Sequence, residues 1–290
     1  MNPELVLDAQ ATLGEGAIWH AREQRLYWVD IDLGRLHRYD PVSETDQVFE
    51  LGQMIGTVVP RAGGGLMVAL QHGFAAFDPE SGELAFWGDP EQHLPRNRFN
   101  DGKCDPAGRF WAGTISLDRQ QGAASLYCLE PDGRVRTMWP GVTNSNGIAW
   151  SLDRRTMYYI DTPTQQVTAF DYELASGQIT NPRVVISIPA AAGKPDGMTI
   201  DEAGMLWIAL WEGSCVGRWD PHSGTQLLSI SLPVRRVTSC AFGGAQLDEL
   251  YITTARTGLT ESDLASQPQA GGLFRVRPGV RGVAAFEFQG

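Results

Sequence analysis

The stretch PDGMTIDEAGMLWIAL (195–210) contains two short apolar runs separated by a turn. The first run follows an Asp-Gly pair, and the second, MLWIAL (205–210), follows DEAG, in which glycine and acidic residues favour a tight turn. Runs of five or six residues rich in Ile, Leu and Trp, placed between turn signals, are typical of β-strands. The stretch therefore predicts a β-hairpin, and the fold depends on how often this hairpin recurs.

The second run of the hairpin has counterparts along the whole chain, at intervals of about 40–50 residues. The six runs are RLYWVDI (25–31), GLMVAL (65–70), RFWAGT (109–114), TMYYID (156–161), MLWIAL (205–210) and ELYITT (249–254). Six units in 290 residues leave about 48 residues each, which is enough for four short strands and their turns. The pattern predicts an all-β fold, a six-bladed β-propeller with four antiparallel strands per blade.

The repeats also bear on the domain organisation. No linker, composition shift or low-complexity segment divides the sequence, so we expect one propeller domain over residues 1–290. We expect the two ends of the chain to share a blade, which would close the ring. The only short helical candidate is ESDLASQ (261–267).

Composition excludes several classes of function. With 23 Lys and Arg against 34 Asp and Glu, the net charge of −11 argues against a nucleic-acid partner. The four cysteines have no paired spacing, which argues against a thiolate metal site or a disulfide framework. No apolar run is long enough to span a membrane, and the first residues do not resemble a signal peptide. We therefore expect a cytoplasmic protein without a membrane partner, and a monomer because a propeller closes its own sheet edges.

The strand before each apolar run repeats a second pattern, a residue followed by glycine. The residues in this position are Glu15, Asp101, Asn146 and Asp196, with Ile55 in the second repeat and Ser239, without the glycine, in the sixth. The first strand of each propeller blade lines the central channel, so equivalent positions should form a ring around it. The glycine is what a bulge or a close backbone approach at that rim would require.

A ring of acidic and amide side chains has two readings. Carboxylates that converge on a narrow opening repel one another unless a cation is present, and oxygen ligands suit Ca²⁺, Mg²⁺ or Mn²⁺. With open coordination positions they could also hold Zn²⁺ or Fe²⁺. Alternatively, each residue only forms hydrogen bonds within its own turn.

Long strings make the chain resemble the gluconolactonase/regucalcin (senescence-marker protein) family of sugar lactonases. They are LGEGAIW (13–19), NRFNDGKCDPAGRFWAGT (97–114), SNGIAWSLDRRTMYYIDT (145–162), PDGMTIDEAGMLWIALW (195–211) and QPQAGGLF (267–274). The resemblance covers nearly the full length. The fold of that family is a six-bladed propeller, in agreement with the repeat count.

The resemblance implies a metal site. It implies that Glu15, Asn146 and Asp196 bind one divalent cation, for which Ca²⁺, Zn²⁺, Mn²⁺, Mg²⁺ and Fe²⁺ are all candidates.

The resemblance also implies a substrate site beside the metal. Arg98 and Asn100 would hold a sugar lactone, and we expect Asp101 to orient Asn100 or a water at the metal. On the loop after AGT, the register places Asp118 where animal relatives contact the substrate with a glutamate.

The predicted function is hydrolysis of aldonolactones, such as D-glucono-1,5-lactone, to the sugar acid. The cation would polarise the lactone carbonyl, and Asp196 would act as the general base. Two alternatives stay open: a calcium-dependent hydrolase of the phosphotriesterase type, and a calcium-binding regulatory propeller without catalysis. Arg98 and Asn100 favour a polyhydroxylated substrate. The sequence contains no G-x-S-x-G elbow and no H-E-x-x-H motif.

Overall fold

The computed structural model describes residues 2–290, which form six four-stranded sheets. In chain order the strands are β1 (Glu4–Leu7), β2 (Gly14–His20), β3 (Arg25–Asp30), β4 (Arg35–Asp40), β5 (Thr45–Glu50), β6 (Ile55–Pro60), β7 (Leu66–Leu70), β8 (Gly73–Phe77), β9 (Leu84–Gly88), β10 (Asn97–Cys104), β11 (Phe110–Ser116), β12 (Ala124–Leu129), β13 (Val135–Val142), β14 (Ser145–Trp150), β15 (Thr156–Asp161), β16 (Gln166–Tyr172), β17 (Ile179–Ser187), β18 (Lys194–Ile200), β19 (Leu206–Trp211), β20 (Cys215–Trp219), β21 (Gln226–Ser231), β22 (Val237–Gly243), β23 (Glu249–Thr254) and β24 (Leu273–Val276). One α-helix, α1 (Glu261–Ser266), and two 3-10 turns, Thr162–Thr164 and Ala190–Ala192, complete the described elements.

Each sheet is one propeller blade made of consecutive antiparallel strands. Blades 1 to 5 are β2–β5, β6–β9, β10–β13, β14–β17 and β18–β21. Blade 6 contains β22, β23 and β24, and its outer strand is β1, in which Leu5 pairs with Phe274. The six-bladed propeller predicted from the repeats is confirmed, and the first strand of the chain closes the ring.

The apolar runs that define the repeat are the second strands of the blades, as predicted. They are buried almost completely, because each blade packs against a neighbour on both faces. At one such contact the ring of Trp207 in blade 5 packs edge-on against Phe242 of blade 6, with centroids 5.6 Å apart. The predicted helix is also present, and it begins at a capping box formed by Thr260 and Asp263.

The first strands of the blades surround the central channel and contact one another in a closed circle. Each of these six strands has a register shift near its beginning. Such a shift marks a β-bulge, which changes the direction in which side chains point. The shifts lie between Glu15 and Ile18, Ile55 and Thr57, Phe99 and Gly102, Asn146 and Ile148, Pro195 and Met198, and Val237 and Ser239. We call this end of the channel the front and the opposite end the rear.

Glycine at the bulge permits neighbouring blades to approach closely. At Gly147 an added Cβ would lie 2.8 Å from the carbonyl oxygen of Asp196 and 2.6 Å from Cβ of Met198. A larger residue would therefore push blade 4 away from blade 5 and widen the ring. In blade 6, where the glycine is missing, the irregular position is Thr238, whose hydroxyl donates to the carbonyl oxygen of Gly14 in blade 1.

The C-terminal segment crosses the rear of the channel. Gly282 forms a bridge with Asp201 in blade 5, and Phe288 forms one with Arg61 in blade 2. The amide of Gln289 donates to the carbonyl oxygen of Gly108 in blade 3, at 3.0 Å. Between these anchors, the segment passes over the rear opening. In the part of the chain that the structure describes, no helix is long and apolar enough to cross a membrane.

Candidate metal centre

The bulges bring the predicted ring residues together at the front of the channel. Glu15, Asp101, Asn146 and Asp196 come from blades 1, 3, 4 and 5, and each is at most 6% exposed. Ile55 of blade 2 adds an apolar, buried side chain. Three carboxylates are thus taken out of water at one end of a narrow channel, which is costly unless protons or cations compensate them.

The carboxyl groups of Glu15 and Asp196, from blades 1 and 5, lie close enough to interact directly. Burial and the neighbouring negative charges raise the pKa of Glu15 to about 8 and hold the pKa of Asp196 well above its usual range. Two carboxyl groups in direct contact cannot both stay ionised, so they share a proton when no cation is bound.

Asn146 is held in one orientation by hydrogen bonds on both sides. Its Nδ2 donates to Oγ1 of Thr162 at 2.7 Å, and that hydroxyl donates to the carbonyl oxygen of Pro195 at 2.8 Å. The oxygen of the Asn146 carboxamide accepts from Nδ2 of Asn100, at 2.9 Å. The carboxamide nitrogen of Asn146 is therefore hydrogen-bonded to the channel wall, and its oxygen lies on the side of the other ring residues.

The predicted substrate residues Arg98 and Asn100 adjoin the ring and are 7% exposed. Nη1 of Arg98 donates to Oδ1 of Asn100 at 2.7 Å and to the carbonyl oxygen of Phe99 at 2.9 Å. Nε of Arg98 is buried without a partner among the described residues. Burial lowers the pKa of Arg98, and the carboxylates of Asp32, Glu15 and Asp196 oppose that shift.

Asp101 of the ring and Lys103 carry opposite charges that favour each other. Oδ1 of Asp101 accepts from the amide of Gly102 at 2.7 Å, and the ammonium of Lys103 opposes the increase that burial causes in the pKa of Asp101. Lys103 also donates to the carbonyl oxygen of Met198, which links blade 3 to blade 5. The hydrogen bonds that orient Asn100 come from Arg98 and from blade 4, whereas the hydrogen bond of Asp101 is local.

Asp118, also predicted to contact the substrate, lies on the loop after β11 with its side chain 56% exposed. Its carboxylate forms a two-pronged ion pair with Arg96, whose Nη2 is 2.6 Å from Oδ1. The structure therefore does not bring Asp118 into the ring, and its contact with a substrate stays a prediction.

Two site residues escaped the sequence reasoning. Lys103 stands in NDGK (100–103), but the register shift between Phe99 and Gly102 breaks the alternation of β10, so the pattern did not place Lys103 beside Asp101. Asp32, which stands in DID (30–32), follows a strand that ends at the front of the channel.

The alternative interpretation, in which each ring residue only forms hydrogen bonds within its own turn, holds in part. Glu15 and Asp101 each accept the amide of the next residue, at 2.9 and 2.7 Å. The hydrogen bonds of Asn146 go to other segments, and Asp196 contacts Glu15 in another blade. Turn chemistry alone therefore does not explain the ring.

The donor set fits a divalent cation. Among residues 2–290 no group of three or more His, Cys, Asp or Glu side chains is arranged to hold a metal ion. The ring instead offers two carboxylates, Glu15 and Asp196, and the carboxamide oxygen of Asn146. These are oxygen ligands of the kind that Ca²⁺, Mg²⁺ and Mn²⁺ prefer, and a cation would replace the proton that the two carboxylates share.

Comparisons with known proteins agree along the whole chain. The region described as SMP-30/Gluconolactonase/LRE-like matches residues 13–256. The chain is 40% identical to the Bacillus subtilis protein YvrE, which is named as a sugar lactone lactonase, over 100% of this chain and 99% of that protein. It is 39% identical to regucalcin of Macaca fascicularis, over 99% of this chain and 98% of the relative. A solved structure of a calcium-binding regucalcin from Agrobacterium tumefaciens superposes with a TM-score of 0.93 at 26% identity, covering 100% of this chain and 97% of the other.

Proposed function

Because the chain belongs to the SMP-30/gluconolactonase/LRE-like family, we propose that it hydrolyses sugar lactones with the help of one divalent cation. The observation that carries the proposal is the juxtaposition at the front of the channel. A buried oxygen-ligand set there adjoins an arginine that retains a free, buried N–H donor. Such a donor suits the oxygens of a sugar lactone better than it suits an apolar ester.

Glu15, Asn146 and Asp196 would hold the cation. When bound, a divalent cation supplies Lewis-acid polarisation of the lactone carbonyl and lowers the pKa of water. Calcium is the first candidate because the Agrobacterium relative is described as calcium-binding, and Zn²⁺, Mn²⁺, Mg²⁺ and Fe²⁺ are the others.

Arg98 and Asn100 would orient the lactone above the ring. The guanidinium of Arg98 is fixed in place by its bonds to Asn100 and Phe99, so that its remaining donors need little reorganisation to bind sugar oxygens. Asn100 is fixed in turn by the carbonyl oxygen of Ser145, at 2.7 Å from its Nδ2.

Asp196 would act as the general base. It accepts a proton as the oxygen of water attacks the carbonyl carbon, and it returns the proton to the ring oxygen when the carbon–oxygen bond of the lactone breaks. The product is the open hydroxy acid. Assistance of this kind typically contributes about 10²–10⁴ in rate.

The test is proton release from D-glucono-1,5-lactone near pH 6.5, measured on chelated protein before and after addition of each candidate metal. We expect turnover that one or more metals restore, and a loss of about 10²-fold or more in Asp196→Asn, which keeps the size of the side chain. Folding of the variant is checked by its circular dichroism spectrum.

Other results would point elsewhere. Hydrolysis of a phosphotriester but of no aldonolactone would favour the hydrolase of the phosphotriesterase type. Calcium binding without hydrolysis of either substrate class would favour a regulatory propeller.

A further inference from the structure

We propose that Thr162 is a positioning residue, which turns the carboxamide oxygen of Asn146 towards the cation and thereby sets the affinity of the ring for metal. The inference rests on the proposed function, because it requires a divalent cation at the ring, and it deepens that function. Thr162 would touch neither the metal nor the substrate, and its effect would pass through Asn146.

The side chain of Asn146 must be oriented, whereas those of Glu15 and Asp196 need not be. A carboxamide has an oxygen, which can bind a cation, and an NH₂ group, which only donates hydrogen bonds. A carboxylate presents an oxygen whichever way it is rotated. The surroundings of Asn146 must therefore specify which end of the carboxamide faces the ring.

The carbonyl oxygen of Pro195 fixes the direction of the hydrogen bonds on one side of Asn146. A carbonyl oxygen only accepts, so the hydroxyl of Thr162 donates its one hydrogen to it, at 2.8 Å. The same hydroxyl can then only accept from Asn146, whose Nδ2 lies 2.7 Å away. Thr162 and Asn146 are both buried, so a flipped carboxamide would leave polar groups without partners, which is costly.

Arg98 fixes the direction on the other side of Asn146. A guanidinium only donates, so Nη1 of Arg98 pairs with Oδ1 of Asn100 at 2.7 Å, and the other end of that carboxamide is Nδ2. This nitrogen donates to the carbonyl oxygen of Ser145 at 2.7 Å and to Oδ1 of Asn146 at 2.9 Å. Both sides therefore require the same orientation of Asn146, with its nitrogen towards Thr162.

A matching turn in blade 1 shows that the fold does not itself require a hydroxyl at this position. In both turns the amide at the position donates to the carbonyl oxygen just before the first strand, at 3.0 Å for Ile31 and 3.1 Å for Thr162. Ile31 stands beside Glu15 in the same strand register in which Thr162 stands beside Asn146. The turn beside the carboxylate thus carries an apolar residue, and the turn beside the carboxamide carries the hydroxyl.

The experiment measures the Kd of Mn²⁺ for the chelated protein from the electron paramagnetic resonance signal of the free ion. Thr162→Val keeps the shape of the side chain and removes the hydroxyl. We expect Kd to rise about 10–100-fold, the usual cost of losing a group that orients a metal ligand. Thr162→Ala should give a similar loss, whereas Thr162→Ser, which keeps the hydroxyl, should stay within about 3-fold of the unchanged protein. Circular dichroism checks that each variant is folded.

A matched control comes from the same turn. The exposed Thr164 donates its hydroxyl to the carbonyl oxygen of Asp161 at 2.7 Å, away from Asn146. Thr164→Val should therefore change the Kd of Mn²⁺ less than about 2-fold, since this hydroxyl orients no metal ligand. A loss equal to that of Thr162→Val would make the effect a general property of the turn and would overturn the inference.

A second ligand chemistry tests whether the effect passes through Asn146. Asn146→Asp replaces the carboxamide by a carboxylate, which needs no orientation. In that background Thr162→Val should raise the Kd of Mn²⁺ less than about 3-fold, so the two substitutions should be strongly non-additive. An undiminished loss would mean that Thr162 acts through Pro195 and the contact between blades, which contradicts the proposed role.

Metal binding and hydrolysis together distinguish this inference from the proposed function. If Thr162→Val weakens Mn²⁺ binding as expected while no aldonolactone is hydrolysed with any candidate metal, the lactonase proposal fails and the role of Thr162 stands. If lactones are hydrolysed and Thr162→Val binds Mn²⁺ as tightly as the unchanged protein, the role of Thr162 is refuted. Failure of the unchanged protein to bind Mn²⁺ would refute it as well, because Thr162 would then have no metal ligand to orient.

Discussion

The front and the rear of the channel are built from the same six inner strands but differ in chemistry. At the front, buried carboxylates surround Asn146 and adjoin Arg98. At the rear is a chamber of about 330 Å³ whose walls include Trp19, Trp150 and Phe242, and among residues 2–290 those that line it include no carboxylate. The C-terminal segment 283–286 covers this chamber.

The difference follows from the bulges. Before and within each bulge the regular alternation is interrupted, so polar side chains can turn towards the channel while glycine lets the backbones approach. Beyond the bulge the strands alternate regularly, and apolar residues such as Ile18 and Ile148 reach the chamber. Lys103 marks the boundary, because its charge opposes the increase in the pKa of Asp101 on the front side and its side chain lines the chamber on the rear side.

The largest expected effect is on catalysis, and it should distinguish an arginine at the front of the channel from one at the rear. Arg98→Leu removes the buried donor beside the ring, and we expect kcat/KM for gluconolactone to fall about 100-fold, mainly through KM. Arg154→Leu removes a guanidinium 5.7 Å from the centre of the Phe286 ring at the rear, and kcat/KM should change less than about 2-fold. Steady-state kinetics on both variants make the comparison, and comparable losses would mean that the two ends act together.

The second effect is a dependence of protein stability on pH, and it should come only from the carboxyl groups at the front of the channel. The pKa of Glu15 is raised to about 8, so the folded protein holds a proton that the unfolded chain releases. This stabilisation is complete below the ordinary pKa of a glutamate and is lost as pH rises through about 8.

We therefore expect the Tm of chelated protein to fall between pH 5.5 and 8.5, as measured by differential scanning calorimetry. Saturating Ca²⁺ should flatten the decline, because the cation replaces the shared proton, and Glu15→Gln should flatten it without calcium. An unchanged slope in the presence of every candidate metal would argue that no cation occupies the ring.

The smallest effect on activity should come from the rear. Phe286→Ala opens the cover of the chamber at a half-buried position that packs against the core. We expect the free energy of unfolding in urea to fall by about 1–2 kcal/mol, less than for a fully buried phenylalanine. Lactone turnover and the metal-induced rise in Tm should stay within experimental error, whereas a large loss of turnover would show that the chamber supports catalysis.

The same contrast explains what the sequence could predict. The blades repeat, so the short apolar runs were visible six times and the X-Gly pairs five times, and these patterns placed Glu15, Asn146 and Asp196 in one ring. Asp32 has no acidic counterpart in the equivalent turn of blade 4, where Pro163 stands at that position, so no repeated pattern could identify it.

The contacts of the Asp118 loop and the strand register of blade 6 could not be predicted from the sequence, for a similar reason. The ion pair of Asp118 with Arg96 joins the loop after β11 to the loop before β10, and no repeat constrains the paths of these loops. In blade 6 the irregular position carries threonine and not glycine, so Ser239 was placed in the ring from the pattern, whereas the strand register puts the irregularity at Thr238.

Whether the ring binds the cation is tested most directly by locating the bound metal in crystals grown with Mn²⁺, through its anomalous scattering. We expect one strong peak at the front of the channel, bounded by Glu15, Asn146 and Asp196, that disappears in Glu15→Gln. A peak in the rear chamber, or no peak at the ring in protein that hydrolyses lactones with Mn²⁺, would contradict it.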